Sequence, residues 1–127
     1  MLNFTDLWYR APAESEPGWG VSIAHQGDIL FVAWFTYDST GRGMWVVGPD
    51  MRRTTGNTFT GVLYRTVGPA FNASPFNPAA VTASPVGSAT FAFTGNATGT
   101  FSYTLSGISQ SKAITRQVFG TPETVCR

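Results

Sequence analysis

The sequence predicts an all-β domain: an antiparallel up-and-down meander of seven or eight strands, closed into a small β-barrel, with a two-sheet β-sandwich as second choice. Three observations carry this. Apolar and polar residues alternate with period two in run after run. Gly, Asn, Asp and Pro clusters interrupt the runs at hairpin spacing, about every 8–12 residues. No stretch of useful length has a 3.6-residue period, so essentially no helix is expected.

The stretch from Gly18 to Val47, GWGVSIAHQGDILFVAWFTYDSTGRGMWVV, is the most regular. Gln26-Gly27-Asp28 and Asp38-Ser39-Thr40-Gly41 read as hairpin connections between three strands. In the middle run Ile29, Phe31, Ala33, Phe35 and Tyr37 share one face and Leu30, Val32, Trp34 and Thr36 the other. Both faces are apolar, which predicts a central strand: either both faces are covered, or one aromatic row is exposed.

The remaining elements follow in order. Phe4 to Tyr9 reads as an edge strand, and the proline-bounded acidic segment Ala11 to Pro17 as an ordered loop. Gly48-Pro49-Asp50 is expected to end the meander, leaving Met51 to Gly56 as a basic, Thr-rich turn. Asn57 to Thr66 is the next strand, with Phe59 and Leu63 opposite Val62 and Tyr64, and Gly61 marking a bulge or close approach. Val67 to Pro85 is the longest irregular piece, rich in proline, with a short strand near Ala80 to Ala83. Gly87 to Thr94 directs Ala89, Phe91 and Phe93 inward, and Thr100 to Leu105 directs Phe101, Tyr103 and Leu105 inward. A last strand spans Lys112 to Phe119.

At 127 residues the chain reads as one β domain, long enough to bury a core without metals or disulfides. Charged residues make up 12%, against roughly 25% in an average domain. Eight Lys and Arg against seven Asp and Glu leave +1, and the only basic pair is Arg52-Arg53. A phosphate backbone finds little to hold, which argues against nucleic-acid partners. No run reaches the roughly 18 apolar residues of a transmembrane helix. The start MLNFTDLWYR lacks the regions of a signal peptide, so in an exported protein this chain would be the mature domain or an excised piece. Cys126 is the only cysteine, leaving a tail thiol or a bond to another chain or domain.

Catalytic signals are sparse. His25 is the only histidine, and with one cysteine an ordinary zinc or copper site cannot be assembled; no cofactor is expected. Glu14 and Glu16 have a spacing that permits the paired carboxylates of glycoside hydrolysis, but they sit in a proline-bounded loop. No serine has a GxSxG context and no triad is found, so the expectation is a non-enzyme. The aromatic residues are the remaining signal. Trp8, Tyr9, Trp19, Trp34, Tyr37, Trp45 and Tyr64 all lie in the first half. Flat rings beside amides and hydroxyls suit the C–H faces of sugars; they equally suit an apolar pocket in a barrel mouth, or plain core packing.

The residues Trp8…Glu14-Ser15…Gly18-Trp19-Gly20…His25-Gln26-Gly27-Asp28…Trp34-Phe35-Thr36-Tyr37-Asp38…Gly41…Trp45 resemble an all-β domain that occurs singly or in tandem in secreted proteobacterial proteins. Phe59-Thr60-Gly61…Leu63-Tyr64-Arg65-Thr66…Gly68-Pro69 and Ile114-Thr115-Arg116-Gln117 are similar to its second half. The resemblance implies export, extracellular or periplasmic, and modular use; it implies no reaction. The expectation is therefore an exported binding or adhesion module for glycan or cell-surface polysaccharide. Trp8, Trp19 and Trp45 would stack on the sugar, with Glu14, His25 and Asp28 as polar partners. Two alternatives stand beside it: a self-associating fibre or surface-layer domain, and a barrel enclosing a small apolar ligand.

Overall fold

Hairpin connections between alternating runs place each strand beside its sequence neighbours, and the last returns to the first. In the computed structural model, which describes residues 2–118 and 120, the strands are β1 (Asp6–Arg10), β2 (Gly20–Gln26), β3 (Ile29–Tyr37), β4 (Gly43–Thr55), β5 (Thr58–Val67), β6 (Thr82–Phe93), β7 (Thr98–Leu105) and β8 (Ile108–Arg116). They form a closed antiparallel barrel in sequence order, sealed by β1 against β8 through Trp8–Arg116, Tyr9–Thr115 and Arg10–Ile114. One 3₁₀ turn, Pro78–Ala80, is the only helical piece among the described residues. The expected Phe119 strand end and Cys126 lie outside the described residues.

Eight strands leave an interior about wide enough for side chains, and large rings fill it. Trp34 lies 4.4 Å from Tyr103 and 5.1 Å from Phe101, centroid to centroid, and Phe101 lies 4.5 Å from Phe91. Val21, Ile23, Leu30, Val32, Met51, Leu63 and Ile114 pack around them.

Four boundaries differ from the sequence reading, the simplest being that β8 begins at Ile108 and not at Lys112. Gly48-Pro49-Asp50 does not end β4. Between the Val47–Tyr64 and Arg52–Thr60 pairs, β4 has one more residue than β5, and it gains one against β3 as well. The segment is therefore a bulge, where a proline's missing N–H costs no ladder bond. Opposite it, a Cβ on Gly61 would lie 2.7 Å from the Asp50 carbonyl oxygen, so the close approach needs glycine. Pro85 likewise sits at a register shift, and β6 runs through it to begin at Thr82. Finally, Phe4 is not in a strand. It precedes β1 and plugs the barrel end, stacked 3.8 Å from Phe93 and 5.5 Å from His25.

Phe101 touches Trp19, Trp34, Phe91 and Tyr103. Phe101→Ala should cost about 3–5 kcal/mol in urea unfolding; a loss below about 1 kcal/mol would contradict an aromatic-filled interior.

Candidate functional site

The two barrel ends are built alike inside. Each inward-facing cation lies over a ring and is held by a carboxylate. Lys112 Nζ lies 5.2 Å from the Trp19 ring and 2.7 Å from Glu16. Arg53 covers Phe59 and pairs with Asp28 at 2.8 Å. Arg116 covers Trp8 and pairs with Asp6 at 3.2 Å. These pairs seal the rings from water while keeping each charge compensated.

The Gly18-Trp19-Gly20 motif follows from this closure. Gly18 has φ +86°, and a Cβ there would collide with the Tyr37 hydroxyl, which donates to the Pro17 carbonyl at 2.8 Å. Glycine is needed for both reasons. Trp19 then enters the interior beneath Lys112, 6.2 Å from Trp34. Glu16 in the same loop also takes Arg10 at 3.1 Å. Partial burial pushes the Glu16 carboxyl up, but the bonds and charge of Lys112, with Arg10 behind it, outweigh this and hold it below its ordinary pKa. Beside them, burial and the Glu16 charge raise the Tyr103 phenol, against the opposing Arg10 charge; it donates to Gln110 Oε1 at 2.6 Å.

The six residues expected to form one site are dispersed. Trp8 is buried at the Phe4 end, its Nε1–H donating to the Phe4 carbonyl at 2.9 Å; it presents no face to a ligand. His25 is also buried there. Its Nδ1 accepts from the Phe4 amide at 3.1 Å and its Nε2 donates to the Gly27 carbonyl at 2.7 Å, so the imidazole ties the plug to a turn. Asp28 is exposed at that end and engaged by Arg53. Trp19 is buried at the opposite end, where Glu14 is exposed with φ +63°. Glu14 and Glu16 do not form a matched pair: one faces solvent, the other is locked between two cations. Trp8 and Trp19 are therefore core, because inward strand and loop positions claim the largest rings. Among the described residues, no three His, Cys, Asp or Glu side chains converge as a metal site would require.

Trp45 differs. It is 50% exposed on the outer wall, directly across the β3–β4 ladder from Phe35, itself 48% exposed. Phe31 and Tyr37 continue the exposed row along β3. The neighbours leave these rings open: Phe35 pairs with Gly20, Phe31 with Ala24 and Tyr37 with Gly43. Ser22, Asp38 and Arg42 supply polar groups around the strip. Asp38 holds its loop by accepting from Thr40 Oγ1 at 2.6 Å and from the amides of Thr40 and Arg42, and these bonds lower its pKa. The middle strand is thus covered on its Leu30–Val32–Trp34 face only. The signal that identifies the open face was present in the turn. Gly27-Asp28 sets Gln26 opposite Ile29, which puts the small residues Gly20, Ser22 and Ala24 against Phe35, Ala33 and Phe31.

A second outer surface lies across β6, β7 and β8. There Ser88, Thr90, Ser102, Thr104, Ser109 and Ser111 line an open, uncharged groove of about 480 Å³. Its hydroxyls already pair, as in Thr104–Ser109 at 2.8 Å and Ser102–Ser111 at 3.1 Å.

Because the folded Glu16 carboxyl is depressed, its contribution is full above the unfolded pKa and disappears as pH falls through the folded one. Glu16→Gln should therefore cost about 1 kcal/mol at neutral pH, the upper end for partly exposed pairs. The gap from wild type should close in acid-side thermal unfolding. A gap that persists at low pH would contradict the ion-pair account.

The chain matches no protein-family model, no curated protein and no solved structure, so the arrangement of its own residues carries the functional reading.

Proposed function

We propose that this chain is an exported, non-catalytic binding or adhesion module that recognises neutral glycan through the outer aromatic strip. The carrying observation is the Phe35–Trp45 cross-strand pair, half exposed on the outer wall with glycine or alanine beside its row. Burying such rings inside would have stabilised the fold by roughly 1.5–3 kcal/mol each. Their outward placement on a rigid sheet supports a role outside the core. Phe31, Phe35 and Tyr37 lie on the outward face of β3, spaced by four and two residues, so several sugar rings of one polymer can be met at once. Ser22, Asp38 and Arg42 border the strip and can exchange hydrogen bonds with sugar hydroxyls.

The alternatives fare differently. Closure of β1 on β8 removes the free sheet edges through which strands polymerise, so self-assembly would have to use exposed side chains such as this aromatic strip. A small apolar ligand inside the barrel would compete with the Trp34, Phe91, Phe101 and Tyr103 rings that occupy its centre.

Trp45 is the exposed tryptophan, while Trp8, Trp19 and Trp34 are buried. Titration with a panel of soluble polysaccharides should give a saturable change in tryptophan fluorescence. Trp45→Ala should abolish that change while costing under about 1 kcal/mol of stability, the worth of a cross-strand aromatic pair. Absence of a response to every glycan, with Trp45 reachable by a soluble quencher, would overturn the glycan reading. Concentration-dependent association lost in Trp45→Ala would favour self-assembly instead.

A further inference from the structure

The barrel has two chemically different ends. At the end where β5 passes to β6, residues 68–81 form an exposed loop, ordered by a turn at Ala70–Ala73 and by Asn77, which caps the 3₁₀ turn. Phe71 in this loop is 98% exposed, and Phe76 and Val81 are exposed with it. Val67 at the end of β5 adjoins the loop and is also exposed, as is Ile108 at the start of β8 on the same end of the barrel. At the other end the turns 27–28, 56–57 and 94–97 hold only Gly, Asp, Asn, Thr and Ala; Leu2 and Val118 are the exposed apolar residues there, next to the termini of the described chain.

The loop itself carries no charge. No residue between Arg65 and Lys112 is charged, so the whole apolar loop can leave water without desolvating an ion. Pro69, Pro75 and Pro78 also remove three backbone donors from it. Of the cations among the described residues, Arg10, Arg52, Arg53, Lys112 and Arg116 are ion-paired. Arg42 and Arg65 are exposed and have no carboxylate of the described residues within 4.0 Å, although Arg65 is near enough to Asp38 to help lower its pKa. Both belong to the apolar end: Arg42 to the β3–β4 loop, Arg65 to the last residues of strand β5 before the β5–β6 loop.

Protruding phenylalanines on an uncharged segment, with unpaired arginines behind them, match the order of a bilayer surface: acyl region first, phosphates next. We propose that this end of the barrel docks on a lipid bilayer, with Phe71 and Phe76 entering the interface and Arg42 and Arg65 facing lipid phosphates. Phe71 and Phe76 lie in the β5–β6 loop, away from the Phe35–Trp45 wall of β3 and β4, so one module can sit on a membrane by its end and meet glycan by its side.

The test is co-sedimentation of the whole chain with extruded vesicles, one set of phosphatidylcholine alone and one containing phosphatidylglycerol. The wild type should sediment with both and more strongly with the anionic set. Phe71→Ser with Phe76→Ser should weaken binding to both sets by at least about tenfold, the effect of withdrawing large apolar side chains from an apolar phase. Arg42→Gln with Arg65→Gln should remove most of the preference for anionic lipid. Both double variants change exposed side chains, and an unchanged melting temperature verifies their folding. Failure of the wild type to sediment with either set would overturn the proposal, whether or not the phenylalanines mediate self-association. Binding indifferent to the phenylalanine pair would overturn it too. Glycan titration of the Phe71→Ser, Phe76→Ser variant keeps the two readings apart, because its Trp45 response should survive loss of vesicle binding.

Discussion

The width of an eight-stranded barrel governs this molecule. Its interior takes side chains and little else, and closure gives every strand one face inside and one outside. The chain has 18 aromatic residues, four Trp, four Tyr and ten Phe. Nine of the rings, those of Phe4, Trp8, Trp19, Trp34, Phe59, Phe91, Phe93, Phe101 and Tyr103, are buried. The others cannot all follow, and among the described residues Phe31, Phe35, Tyr37, Trp45, Phe71 and Phe76 are left exposed. Core and candidate surfaces are two consequences of one alternation.

The ends show how such a core is kept dry without many charges. Arg53, Lys112 and Arg116 each place a cation over a buried ring and pair it with one acid, so a few charged residues do what a longer loop or a disulfide does elsewhere. Arg116 also reaches the carbonyls of Asn3 and Thr5 and Asn96 of the β6–β7 turn, tying the Phe4 plug to that nearby turn. His25 belongs to this architecture. Its two nitrogens are committed to backbone groups, a structural role that a lone histidine beside a turn shares with many buried imidazoles.

Much of the fold was legible because the alternation repeats without a competing period. The inward sets Phe59 and Leu63, Ala89, Phe91 and Phe93, and Phe101 and Tyr103 are buried as their spacing implies. Proline misled in a consistent way. Pro49 and Pro85 read as terminators, yet both occupy bulges, where a strand can pass through a residue that lacks an N–H. The candidate site was less legible for a different reason. Period two divides a strand into faces but does not say which face is inside, and on β3 both are apolar. Trp19 was expected to stack on a sugar, whereas Gly18 serves to turn the chain so that Trp19 can enter the barrel. For Trp45 the exposure expected of a stacking ring and its position on the outer wall coincide. Phe4 was hidden because a single apolar residue ahead of a strand has no period to read.

The division of rings between interior and wall is most directly tested by hydrogen exchange of the four indole N–H groups, resolved by NMR. Trp45 should exchange fast, while Trp8, hydrogen-bonded to Phe4, and the buried Trp19 and Trp34 should be strongly protected. Fast exchange at Trp8 or Trp19, or protection of Trp45 in the monomer, would place the open face elsewhere and contradict the account.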